Sequence, residues 1–388
     1  MDPFLREARR RLPQTIELIR DLVECESPSG DTAAIARFVD VLADRVDDIA
    51  RVRTFSGSSN SGESQGPHFR CEFLLPGRER PGFQKQSQIL ALGHSDTVWP
   101  LGTLSTMPFR RSRGRLFGPG VFDMKSGLAL FITAMRILRD LDVRVGRRVV
   151  LQVNSDEEAG SPSSRPLTEQ AARESIAVLV LEPAGAGGKL KTARKGVGDY
   201  TVTVRGVAAH AGLDFEKGSS AIVEMARQIE RMAQFTLLDR GITVSPGVIR
   251  GGTRSNVIAA ECSVEVDVRV PRASDARYVE RCFHSLKPFD KRCTIQVKGR
   301  LNRPPLERTP GVRKLFGLAA RLAGEMGVEL GECAVGGGSD GNFTAALGVP
   351  TLDGLGAVGE GAHAPGESVL IGRLAERSAL LAKLSASL

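Results

Sequence analysis

Apolar residues recur along this chain with two different spacings. Between residues 4 and 24 they fall at Leu12, Ile16, Ile19 and Leu22–Val23, the three- and four-residue spacing of one helix face, so an amphipathic helix is predicted there. Ser27-Pro28-Ser29-Gly30 breaks it. Asp31 is then placed to cap a second helix over residues 32–46, with Ile35, Phe38, Val39 and Leu42 turned inward. Short apolar runs follow and read as strands at 51–55, 69–75, 89–92, 148–153 and 177–181, with a strongly apolar helix at 128–138. The segment SGSSNSGESQGP before the second strand reads as a flexible Ser/Gly loop. His68, at its end, reads as a loop residue.

The texture changes after Lys189. Residues 197–299 read as strand (198–205), helix (219–231), strand (243–250), long strand (257–270), helix (274–286) and strand (293–298). The order β-α-β-β-α-β is the ferredoxin-like arrangement, which predicts a small domain inserted into the first. Arg300-Leu301-Asn302-Arg303-Pro304-Pro305 serves as the return linker. The α/β texture then resumes with a helix at 310–326, a Gly-rich turn at 336–342, a short helix at 343–347, a strand at 350–352 and a last helix at 367–384. The expected fold class is therefore α/β, a mostly parallel sheet domain interrupted by a ferredoxin-like domain. Its boundaries are expected at 1–194, 195–303 and 304–388.

A chain of 388 residues suggests two domains, in agreement with this division. The net charge of +8 and a pI near 9.4 raise the question of nucleic acid. However, the arginines are spread along the chain and aromatics for stacking make up only 5%, so no nucleic-acid partner is expected. A basic surface also attracts anionic small molecules. No apolar segment is long enough to span a bilayer, and the charged N-terminus has no apolar core of a signal peptide. The six cysteines form no C-x-x-C pair, which argues against thiolate-bound zinc and fits a reducing cytoplasm.

Chemistry gathers where the strands end. The run Ile89–Leu92 stops at Gly93 and leads into His94 and Asp96. The strand at 148–153 runs into Asp156-Glu157-Glu158, and the one at 177–181 ends on Glu182. Asp123 stands just before the apolar helix. Each taken singly has a plain explanation: a loop histidine, a solvated acidic loop, a helix cap. The carboxyl ends of parallel strands converge on one rim, however. Several carboxylates and a histidine meeting there repel one another unless a cation sits among them. A carboxylate and imidazole set without thiolate suits zinc, manganese or cobalt.

Seven motifs now stand in order: GHSDTV (93–98), GPGVFDMKSG (118–127), DEEAGS (156–161), LEP (181–183), HAG (210–212), GGGSDGN (336–342) and GAHAPGE (361–367). In their order and spacing, and in the inserted domain, the chain resembles the zinc-dependent metallopeptidase family of glutamate carboxypeptidase (carboxypeptidase G type), aminoacylase, acetylornithine deacetylase and succinyl-diaminopimelate desuccinylase. The resemblance covers essentially the whole chain. It implies a dizinc exopeptidase domain carrying a lid and dimerisation domain. His94 and Glu182 would ligate one Zn2+, Glu158 and His363 the other, and Asp123 would bridge both; Co2+ or Mn2+ are possible substitutes. Asp96 would orient His94, and Glu157 would bind no metal and act as general base. The peptide bond after Asp123 would be cis.

From the inserted domain, the resemblance implies that His210 stabilises the tetrahedral oxyanion, reaching in from the partner subunit in a homodimer. Asn256 and Arg269 would hold a substrate carboxylate, Lys195 would add a charge contact, and Gly338 and Ser339 would line the pocket floor. Ser126 and Gly366 depart from residues common in the family, where glycine and aspartate often stand. Glu182, where aminopeptidase relatives carry aspartate, favours the carboxypeptidase and deacylase branch. The expected activity is that of a cytoplasmic dizinc metallohydrolase acting on a small peptidyl or N-acyl amino acid and releasing a C-terminal, glutamate-like amino acid. The alternatives are an N-acetyl or N-succinyl amino acid deacylase and, in another class, a metal-free binding protein of the same fold.

Overall fold

The computed structural model describes residues 1–58, 65–77 and 84–388; the centre of the predicted Ser/Gly loop lies outside them. The chain forms two compact units. One comprises Met1–Thr192, Arg308–Val335 and Ser339–Leu388, the other Ala193–Glu307 with Gly336–Gly338.

The first unit is built on a six-stranded sheet in the order Ala50–Phe55, His68–Phe73, Arg147–Asn154, Gln84–His94, Ser175–Val180, Thr351–Leu352. The last four strands run parallel, and the two at the other edge are added antiparallel. The central strands carry apolar residues on both faces because both faces are covered. Ile89, Ala91, Val149, Leu151 and Leu179 join a large core with the helices Leu12–Glu24, Thr32–Asp44, Ser126–Asp140 and Ile371–Ser387. Leu90, Leu92, Val150, Val178 and Val180 pack instead on Ala171 and Ala172 of the helix Arg165–Arg173. Each such side chain contributes about 1.5–3 kcal/mol by leaving water. That burial fixes the register: Leu90 stands opposite Val150 and Val178, and a slip of one residue would turn every side chain to the wrong face.

The N-terminal segment differs from the single helix predicted for it. It is two helices, Pro3–Arg10 and Leu12–Glu24, with Pro13 in the first turn of the second. Proline has no N–H for the preceding turn and suits a helix start. The last helix also begins later than expected, at Ile371, because Ser368–Leu370 pairs as a strand with Arg115–Phe117. Asp31 caps Thr32–Asp44 as anticipated, accepting from the N–H of Ala34.

In the second unit the elements run strand Gly196–Arg205, helix Ala221–Ala233, strands Thr243–Gly251 and Glu261–Val270, helix Ala273–His284 and strand Thr294–Arg303. The sheet is antiparallel, ordered second, third, first, fourth strand, as the β-α-β-β-α-β reading requires. Gly196–Arg205 alternates buried and exposed residues because only one face meets the helices. There Val202, Val204, Val264 and Val266 pack on Met225, Val279 and Phe283, and Phe283 stacks on Tyr200 at 4.1 Å. The strand predicted from residue 257 starts at Glu261; the residues before it form a loop carrying Asn256. No helix among the described residues is long and apolar enough to cross a membrane.

Candidate active site

His94 is the last residue of its strand, opposite Asn154 on the next, so the loops leaving both strands start side by side. From His94, Nε2 lies 3.2 Å from Oδ1 of Asp123 and 3.6 Å from Oε1 of Glu182. From His363, Nε2 lies 3.1 Å from Oε1 of Glu158 and 3.3 Å from Oδ2 of Asp123. Each oxygen of Asp123 therefore faces a different imidazole, and each imidazole also faces a glutamate. Zinc bound tetrahedrally at about 2.0–2.1 Å keeps its ligand atoms about 3.3–3.4 Å apart, and the observed separations straddle that value. His94, Glu157 and Glu182 also offer atoms within 4.8 Å of one another, so Glu157 stands at the same cluster.

The charges demand compensation. Asp123, Glu157, Glu158 and Glu182 outnumber the two imidazoles, so the cluster stays negative even with both imidazoles protonated. The Asp123 and Glu158 carboxylates push His363 up to about 10. His94 is raised well above the usual imidazole range: its burial works against the charge, but Asp123, Asp96 and Glu182 outweigh it. Burial also favours the neutral form of Asp123, yet hydrogen bonds from His363 and His94 hold its carboxyl far below the usual range. In Glu158 burial prevails and the carboxyl is raised. The donor set, all carboxylate oxygen and imidazole nitrogen, fits zinc, cobalt or manganese.

Buried acids that face no imidazole Nε2 of the cluster hold the loops. Asp96 is fully buried and accepts from the N–H of Glu157 at 3.2 Å, the N–H of Glu158 at 3.0 Å and the Ser29 hydroxyl at 2.8 Å. The nearer acceptor for Nδ1 of His94 is the Asp96 main-chain carbonyl at 2.9 Å; the Asp96 carboxylate is 3.5 Å away. Asp156 accepts from the N–H and hydroxyl of Ser163 and the N–H of Ser164. Asp340 takes the Ser161 hydroxyl and the Asn154 amide. His68 is buried rather than a loop residue in solvent. Its Nδ1 accepts from the N–H of Ser155, its Nε2 lies 3.0 Å from the Ser163 hydroxyl, and burial depresses its pKa. The peptide bond Asp123–Met124 is cis, and His363 has φ +60°, a left-handed conformation uncommon for a non-glycine residue and concentrated at functional sites.

The whole arrangement sits on the carboxyl rim, and residues 90–387 match the description "Peptidase family M20/M25/M40". The chain belongs to this family. It is 29% identical over 377 residues to carboxypeptidase G2 of Pseudomonas sp. (strain RS-16), covering 96% of this chain and 88% of that one. It is 25% identical to succinyl-diaminopimelate desuccinylase of Delftia acidovorans, covering 87% and 88%. Among solved structures, aminopeptidase PepT of Bacillus cereus superimposes with a TM-score of 0.77 at 22% identity, over 97% and 99% of the two chains. The YXEP protein of Bacillus subtilis, described as a dinuclear metal binding peptidase, gives 0.66 at 14% identity, over 98% of each chain. This M20-family chain is accordingly a hydrolase of the metallopeptidase class, with a candidate metal site in its first unit.

In the second unit, His210 is exposed and its Nδ1 accepts from the N–H groups of Gly212 and Leu213, which leaves the hydrogen on Nε2 as a donor. Asn256 is beside it: the Asn256 carbonyl accepts from the N–H of Ala211 at 3.0 Å, and His210 bridges to Val257. The Nε–Nη2 edge of Arg269 is held by the Asp267 carboxylate, so a substrate carboxylate would meet the guanidinium on its Nη1 side. Lys195 lies at the join between the strands Leu190–Arg194 and Gly196–Arg205. The carbonyl of Gly338 accepts from Arg194. Ser339, in the first unit, is fully buried and donates to Asp353 at 2.6 Å; its hydroxyl also accepts from the N–H of Gly341 at 3.2 Å, at the start of the helix Gly341–Ala346.

Proposed function

We propose that this chain is a two-zinc carboxypeptidase-type amidohydrolase that releases a C-terminal, glutamate-like amino acid from a peptidyl or N-acyl precursor. What carries the reading is Asp123, whose two oxygens are divided between the His94–Glu182 and His363–Glu158 pairs. Zinc, or cobalt or manganese in its place, would supply a water of lowered pKa and a polarised scissile carbonyl. Glu157 takes the proton of that water and returns it to the leaving amine. The Nε2–H of His210 donates to the oxyanion. Asn256, Arg269 and Lys195 receive the substrate carboxylate, a guanidinium fork being suited to that anion, and Gly338 gives room beside them.

The proposal of a glutamate-like leaving group draws support from the likeness to carboxypeptidase G2 and from the basic balance of the chain. Deacylation of N-acetyl or N-succinyl amino acids is the second reading, favoured by the likeness to the desuccinylase. A homodimer through the inserted unit belongs to the proposal. A groove of about 500 Å3 there is lined by Phe215, Ile222, Val223, Arg254 and Asp290, and Leu213 and Phe289, close in sequence to Phe215 and Asp290, are exposed. The compartment proposed is the cytoplasm, in keeping with six free cysteines. Zinc-reconstituted protein assayed on N-acyl- and peptidyl-glutamates against N-acetylated neutral amino acids tests the reading. Glutamate release is the expected result; an enzyme holding two zinc ions that cleaves none of these amides overturns it.

A further inference from the structure

Glu367 is fully buried in the motif that carries His363, at a position where the sequence pattern suggests only a helix start. Its Oε1 accepts from the N–H of Phe122 at 2.7 Å and of Asp123 at 2.9 Å. Its Oε2 accepts from the N–H of Gly120 at 2.9 Å and from Nε1 of Trp99 at 2.9 Å. Two donors on each oxygen use the acceptor capacity of an ionised carboxylate. Three loops meet on this one group. Trp99 follows His94 and Asp96, Gly120–Asp123 presents the carboxylate divided between the two imidazoles, and Glu367 closes the turn of His363 through its own N–H to the carbonyl of Ala364. The ammonium of Lys125, itself buried and donating to the carbonyl of Cys25 at 2.8 Å, adds positive charge nearby.

We propose that Glu367 is a positioning residue that sets Asp123 between the two metal positions by clamping the backbone of Gly120–Asp123 to the loops of His94 and His363; the inference rests on the two-metal reading above. Only an ionised carboxylate of this length serves. Glutamine would offer an NH2 to backbone N–H groups, opposing donor to donor, and aspartate would fall one methylene short. Groups that support metal ligands in this way change metal affinity about 10- to 100-fold when replaced.

Zinc titration against a chromophoric chelator, and the absorption spectrum of the cobalt-loaded protein, provide the test. Glu367→Gln is expected to bind zinc 10- to 100-fold more weakly and to shift the cobalt spectrum. At saturating zinc its kcat should fall with KM unchanged. Trp99→Phe removes one donor of four and should weaken zinc binding a few-fold. A Glu367→Gln protein that melts earlier yet binds two zinc ions with wild-type affinity and spectrum shows a packing role only and overturns the proposal. Where Glu367→Gln does not fold, Trp99→Phe decides, and unchanged affinity and spectrum in that variant overturn it. A wild-type chain that binds no zinc removes the two-metal reading itself, an outcome distinct from zinc bound equally well by wild type and variant.

Discussion

Replacing Gly127 by alanine should damage the metal site without touching a ligand. Gly127 is the second residue of the helix that follows Asp123, and it presses on the main chain just before Glu182. A Cβ at Gly127 would lie 2.0 Å from the carbonyl oxygen of Leu181. Real contacts of this kind essentially never fall below 3.0 Å, so helix and strand must part by about 1 Å; both are packed backbone, with no flexible side chain to yield. A Cβ at Gly356 would likewise come within 2.2 Å of the same oxygen, so two glycine backbones already approach it closely. Alanine gains about 1 kcal/mol in helix propensity, while overpacking costs about 1–3 kcal/mol or more. Because two packed backbones collide, the cost lies at or above the top of that range, and a net destabilisation of about 2 kcal/mol or more is expected. The larger effect is catalytic. Asp123 and Glu182 both face His94, and a displacement of about 1 Å in such a constellation costs about 100-fold in rate. The assay is zinc-dependent turnover of the best substrate from the amide panel, with thermal melting alongside. Gly317→Ala is the control: it lies inside the helix Pro310–Glu325 with nothing within 4 Å of the added methyl, and it should stabilise by about 0.5–1 kcal/mol. A Gly127→Ala protein with turnover within twofold of wild type and an unchanged melting point would refute the argument.

Glu157→Gln should keep both zinc ions, measured by metal analysis, and lose turnover by about 10²- to 10⁴-fold; loss of one zinc instead would show that Glu157 is a ligand. Removing metal with a chelator should lower the melting temperature, and zinc at about 1,000 times its Kd should restore about 4 kcal/mol, read as a concentration-dependent shift. Glu224, buried in the inserted unit, accepts from the N–H groups of Phe289 and Asp290 and from the Gln228 amide. Burial alone would raise its pKa, yet these bonds hold it below its ordinary 4.5. Its stabilisation is therefore present above about pH 4.5 and is lost as pH falls through the folded value. Glu224→Gln should cost about 1–3 kcal/mol at pH 7 and remove that part of the acid sensitivity, as read by denaturant unfolding at pH 7 and pH 4.

The sheet was legible because strands buried on both faces read as short apolar runs bounded by turn residues; Ile89–Leu92 and Ala177–Leu181 are examples. The acids after those runs were legible as a cluster for the same reason, since parallel strands bring their carboxyl ends together. What the residues did not disclose was which acids face the imidazoles and which hold loops. Asp156 stands first of three acids and turns to Ser163 and Ser164. Glu367 looks like the start of a helix and instead receives the N–H groups of a loop some 250 residues earlier. Such partners are far away in sequence, so no local period announces them. The same holds for His68, whose Ser155 and Ser163 partners lie in the loop that leaves the strand Arg147–Asn154, and for Ser339, whose hydroxyl is taken by Asp353.

The buried acids nevertheless sort themselves by how their oxygens are used. Those of Glu367 are taken up by backbone and indole N–H groups, and Asp96 accepts three donors. With four donors Glu367 has its acceptor capacity used, and with three Asp96 has most of it used; carboxylates so engaged are held rigidly, which is what a support must be. Asp123, Glu158 and Glu182 instead face imidazole nitrogens at 3.1–3.6 Å, partners that a divalent cation replaces without breaking any backbone bond. On the two-metal proposal, ligation and support would fall to different carboxylates, so metal would enter a site whose loops are already set.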